Sequence, residues 1–182
     1  MFKNSIKHFD KKLKRLYDKI DKFDKDALVV LHSDHGVNFM SSTTELLGKE
    51  REKVIFLYKN NKKFKIDNSI REIRELPSII CNDLKISKAF QYNFNSYAIT
   101  ESIYPDKDYE LAIRNNVYVL FFKIAWSDVI KKNTVNFQYR YSMHPIENES
   151  EIINECEQLE NFIMIAKECY YKLIKNHNNL IK

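Results

Sequence analysis

The chain has 182 residues, 44% of them hydrophobic and 30% charged, which suits a soluble domain with a buried core and excludes a disordered tail or a membrane protein. Glycine is scarce: there are 2, where average usage of about 7% would give roughly 13, and Gly36 and Gly48 stand too far apart for a dinucleotide fingerprint or a P-loop. The net charge of +5 sits entirely in residues 1–25, which hold nine Lys/Arg against four Asp, so the remainder is balanced.

That basic segment comes first. Phe2, Ile6, Phe9, Leu13, Leu16, Tyr17, Ile20 and Phe23 recur at the spacing of one helical face and predict an amphipathic helix. Its lysines could contact phosphate, in nucleic acid or anionic lipid. The four interleaved aspartates make a poor phosphate stripe, so the expectation is a helix lying on a core with its lysines solvated. Nucleic acid is therefore not an expected partner. The N-terminus lacks the apolar stretch of a signal peptide, and no apolar run approaches the ~20 residues of a membrane span. Cys81, Cys156 and Cys169 are odd in number and form no C-x-x-C pair, against a disulfide framework or a zinc knuckle. A reduced, cytoplasmic chain is expected.

Ala27 to Ser33 is a short apolar run without alternation, the pattern of a strand buried on both faces in a parallel sheet. A second strand is predicted over Lys53 to Tyr58, and Asn60 to Lys65 form a solvated basic loop. Leu76-Pro77-Ser78-Ile79-Ile80 opens a helix with proline in its first turn, where the missing N–H costs nothing. From Tyr97 to Tyr141 β-branched and aromatic residues dominate, notably Asn116 to Phe122, which predicts a small antiparallel sheet. Asn148 with Glu151 three residues on forms a capping box for a final helix burying Ile152, Cys156, Leu159, Phe162, Ile163, Ala166 and Leu173.

The chemistry concentrates after the first strand. In open parallel sheets, ligands sit beyond the C-terminal strand ends. Asp34 and His35 take that position, with Gly36 next and His32 on the same side of the strand as Asp34. One carboxylate and one imidazole make half a metal site or an acid–base pair. The alternative is a polar turn in which Asp34 caps backbone N–H groups.

Several segments together resemble the C-terminal portion of sulfatases of the alkaline phosphatase superfamily. A helix leads into a strand ending in S-D-H-G, here Ser33-Asp34-His35-Gly36. The V-P-L-I-[IV]-[KR] strand is matched by Val54 to Lys59, and the region around D-[IL]-x-P-T-[IL]-L by Ser69 to Ile86. Ala98-Ile99-Thr100-Glu101-Ser102 is similar to the A-x-x-E strand, and Ala112-Ile113-Arg114-Asn115 to the R-T/R-N strand. Tyr139 to Asn154 resembles the Y-D-L-x-x-D-P-x-E-x-x-N segment, keeping Tyr141, Pro145, Glu147 and Asn154. The resemblance spans roughly residues 5–155.

It implies that Asp34 and His35 are ligands of a divalent metal, Ca²⁺ in the sulfatases and Mn²⁺ or Zn²⁺ in phosphoesterase relatives. Lys49 is the nearest candidate for a sulfate contact. The implied substrates are sulfate esters, including those of glycans. Several family features are missing. No [CS]-x-P-x-R nucleophile motif is present, no two aspartates are adjacent, the family's Asp, Gly and second Asp are replaced by Arg74, Lys85 and His144, and the catalytic nucleophile is thus unknown.

The expected fold is α/β: a partial sulfatase-like parallel sheet with flanking helices, a small antiparallel sheet and a long C-terminal helix. It would form one incomplete domain over residues 1–182, with a core remnant at 1–94, the antiparallel part at 95–146 and the helix at 147–180. The expected function is that of a truncated sulfatase-like hydrolase, inactive alone, with the missing strands supplied upstream or by a partner chain. Two alternatives remain: a phosphoesterase or phosphotransferase using the same Asp34–His35 pair, and a non-catalytic interaction module using its basic helix.

Overall fold

The computed structural model describes residues 2–33, 47, 56–59, 70–86, 96–103 and 106–180. The chain divides into two compact units, Met1–Asp34 with Val54–Asp67, and His35–Lys53 with Asn68–Lys182.

In the first unit the amphipathic spacing yields α1 (Phe2–Phe23). It closes on Asp24, whose N–H donates to the Ile20 carbonyl at 2.8 Å. The Asp24 carboxylate then accepts from the Asp26 N–H at 2.9 Å and turns the chain. The apolar face is not covered as expected: Ile6, Phe9, Leu16 and Phe23 are 51%, 58%, 55% and 95% exposed. β1 (Val29–His32) pairs with β2 (Phe56–Lys59), from Val29 opposite Lys59 to His32 opposite Phe56. The pairing is antiparallel, which corrects the expectation of a parallel pair. Val30 and His32 are exposed while Val29 and Leu31 are half-buried, so β1 is not buried on both faces. An apolar run this short does not carry strand direction.

The second unit holds the core. Ile73–Glu75 make a 3-10 turn that runs into α2 (Leu76–Asp83), with Pro77 in the first turn. α2 ends in a Schellman closure: the Ile86 N–H donates to the Cys81 carbonyl at 3.0 Å and the Lys85 N–H to the Asn82 carbonyl at 3.2 Å. Lys85 is there forced to φ 56°, the left-handed conformation that favours glycine.

The antiparallel sheet follows as a meander, β3 (Ala98–Ser102), β4 (Tyr109–Arg114), β5 (Tyr118–Ile124) and β6 (Tyr139–Pro145), in that spatial order. The short helix α3 (Trp126–Ile130) fills the β5–β6 connection. α4 (Leu159–Leu180) packs on one sheet face through Phe162, Ala166, Tyr170 and Ile174, all at four-residue spacing. These meet Tyr109, Leu111 and Ile113 of β4, Leu120, Phe122 and Ile124 of β5, and Met143 of β6. Ala112, Val119 and Phe121 are buried with Leu47 on the opposite face, so β4 and β5 are covered on both sides.

The last helix begins later than expected. Asn148 and Glu151 build a turn instead of a cap: the Glu151 N–H donates to the Asn148 carbonyl at 3.2 Å, and the Ser150 hydroxyl to the Asn148 side chain at 2.6 Å. The same residue types serve both purposes. Among the described residues no helix is long and apolar enough to cross a membrane.

Candidate functional site

β1 brings the chain to Ser33, one residue short of the expected metal pair. Asp34, His35 and Lys49 all lie outside the described residues. Among the described residues no group of three or more His, Cys, Asp or Glu side chains could hold a metal ion.

The polar groups that the sheet does assemble are of three kinds. The first surrounds Arg114, at the last position of β4, opposite Ala98 of β3. The guanidinium is buried. Its Nη2 donates to the Leu47 carbonyl at 2.5 Å and lies 3.5 Å from a Glu149 carboxylate oxygen, and the cation sits 5.3 Å from the centre of the Phe121 ring. Glu72 does comparable work at the start of β3, accepting the Ile99 N–H at 2.7 Å while also binding Arg74. Glu75, almost wholly buried, lies 3.8 Å from Arg71, and its burial raises the carboxyl pKa above the usual range.

The second kind is His144. Its Nδ1 is 2.7 Å from the Glu151 carbonyl and its Nε2 is 2.8 Å from the Ser142 hydroxyl. A carbonyl only accepts, so Nδ1 carries the proton and, in the neutral ring, the hydroxyl donates to Nε2. The ring also meets Phe121 edge-on at 5.5 Å. This histidine fastens β6 to the turn after it. His144→Ala is expected to cost about 1–3 kcal/mol in urea unfolding, since it removes both buried hydrogen bonds at once.

The third kind lies under α4. The Tyr109 hydroxyl donates to Glu101 at 2.5 Å, and the Tyr109 ring lies tilted against Tyr170 with centroids 5.8 Å apart. Burial, reinforced by the Glu101 charge, pushes the Tyr109 phenol far up and the Cys169 thiol up to about 11. The Tyr170 hydroxyl, raised to about 12 chiefly by burial, reaches the Asn133 carbonyl at 3.0 Å. A nucleophile needs the opposite shift, so Cys169 and these tyrosines are structural groups and poor nucleophiles near neutral pH.

Sequence reasoning picked out Glu101, Arg114 and His144 only through the resemblance. Leu47 and Glu149 are remote in sequence from Arg114 and reach it only through the tertiary fold, whereas Tyr109 meets Glu101 across the β3–β4 hairpin and Glu151 meets His144 across the turn after β6. No family model, curated protein or solved structure matches the chain.

Proposed function

We propose that the chain is the C-terminal part of a sulfatase-like ester hydrolase, contributing Asp34 and His35 to one side of a divalent metal site and turning over no ester by itself. The observation that carries this is the backbone at Lys85. The resemblance, drawn from residue types alone, ends this helix on a glycine, and the chain closes α2 at Lys85 with φ 56°. A lysine in that conformation is expensive and a glycine is not. Further support comes from motifs falling on the element types that the resemblance implies. The A-x-x-E segment is β3, Arg114 ends β4, Pro77 opens α2, and S-D-H-G begins one residue after β1. On this reading further strands, parallel to β1, come from another segment or another chain.

A carboxylate and an imidazole supply two donors, whereas calcium takes six to eight oxygens and zinc four ligands. Asp34 and His35 therefore do not by themselves hold a catalytic ion. Titration of the full chain with Ca²⁺ or Mn²⁺ by calorimetry is expected to show millimolar binding or weaker, diminished by Asp34→Ala. Hydrolysis of p-nitrophenyl sulfate and p-nitrophenyl phosphate should equal the buffer rate. Stoichiometric micromolar binding would overturn the incomplete shell, and turnover of the phosphate ester alone would favour the phosphoesterase alternative. Ca²⁺ binding left intact by Asp34→Ala would remove the role given to that carboxylate.

A further inference from the structure

Seven of the eight apolar positions of α1 fall in an alternation of four and three, Phe2, Ile6, Phe9, Leu13, Leu16, Ile20 and Phe23, with Tyr17 beside them. This is a repeat of 3.5, the coiled-coil seam, narrower than the stripe of a helix lying on a globular core. It runs through three heptads without a polar interruption. Ile6, Leu13 and Ile20 take the a positions, with Phe2, Phe9, Leu16 and Phe23 at d. β-branched residues stand at two of three a positions, the a-position choice found in two-stranded coils, with Leu16 at one d position and Phe at the others. The seam is open in the single chain: four of its residues are more than half exposed. An amphipathic helix of this length draws most of its stability from packing, so such a face calls for a cover.

We propose that α1 forms a parallel, two-stranded coiled coil with α1 of a second copy of this chain. The charges beside the seam select this occupant. Lys12 and Lys19 occupy g positions, and Asp10, Tyr17 and Asp24 occupy e positions. In a parallel pair each g position meets the e position of the next heptad on the other helix. Lys19 then faces Asp24, Lys12 faces Tyr17 and Ser5 faces Asp10, with no pair of like charge. Reversing one helix sets the g-row lysines, Lys12 and Lys19, against each other. An anionic lipid surface fits less well, because Asp10 and Asp24 border the apolar seam and would be pressed into the headgroup layer.

Sedimentation equilibrium of the full chain at micromolar concentration is expected to give twice the chain mass. Leu13→Asp should give a monomer whose sheet unit still unfolds with the wild-type transition of Trp126 fluorescence. Lys19→Glu or Asp24→Lys alone should weaken the dimer roughly tenfold, since symmetry counts each mismatch twice, and the two together should restore it. Ile6→Cys should add a self-cross-link on mild oxidation, because parallel helices in register place the two a positions side by side. A monomeric wild type overturns the proposal, as does a monomer that sediments with phosphatidylserine vesicles. So does a dimer that survives Leu13→Asp, which would place the contact elsewhere.

Discussion

Phe122→Ala is expected to lower the unfolding free energy of the sheet unit by about 3–5 kcal/mol, as full removal of a core aromatic does. Phe122 has no exposed surface. It lies on β5 directly between Leu111 of β4 and Tyr141 of β6, and its ring stacks on Tyr139 with centroids 5.0 Å apart and planes at 21°. Below it runs the α4 row of Phe162, Ala166 and Tyr170. Both neighbouring strands are fixed by their ladders, so the site cannot collapse to fill the void, and the cost should lie toward the upper end. Trp126, the one tryptophan, packs against this same cluster, so its fluorescence reports this unit directly. The urea midpoint should fall with the slope unchanged. Val135→Ala, at a side chain 83% exposed, should stay within about 0.5 kcal/mol of wild type. A Phe122→Ala loss no larger than that of Val135→Ala would mean that the sheet does not pack as described.

The contrast between those two positions also shows what was legible beforehand. A run such as Tyr118 to Ile124 announces a strand because β-branched and aromatic residues suit a pleated, covered surface. The antiparallel sheet expected over 95–146 accordingly appears over 98–145. Pro77 marked the start of α2 for an equally local reason, its missing N–H. Where the signal is not local, sequence reasoning went astray. The direction of β1 depends on which strand it meets, and that partner, β2, lies more than twenty residues further on. Asn148 and Glu151 fit a helix cap and a free turn equally well, and the competition is decided by the Ile153 N–H, which donates to Met143 of β6 at 2.7 Å and holds the segment extended. For α1 the spacing was read correctly and its consequence was not, because periodicity names the apolar face without naming what covers it. The expected site, Asp34, His35 and Lys49, lies outside the described residues, while Arg114 and His144, which belong to other segments of the resemblance, are buried fasteners.

Arg114 gives the sharper test of that last point. Arg114→Met keeps the aliphatic stem beside Phe121 but removes the cation that meets Glu149 and the donor to the Leu47 carbonyl. Both side chains of the pair are almost fully buried, so solvent does not screen the loss. Removing one partner of a buried ion pair costs about 3–5 kcal/mol, because the remaining charge stays desolvated. Replacing both with apolar residues of similar size often costs nothing. The two effects predict a specific inequality. Arg114→Met should lower the urea midpoint sharply, whereas Arg114→Met combined with Glu149→Met should be more stable than Arg114→Met alone. If Arg114 acted only as a packing stem, Arg114→Met would be nearly neutral and the second substitution would add to the damage. If its main work is the Leu47 carbonyl, the double variant would recover nothing, because that acceptor stays without its donor whatever stands at position 149. Recovery in the double variant would identify the residue that the family resemblance marks as Arg114-Asn115 with the charge pair that closes the end of β4.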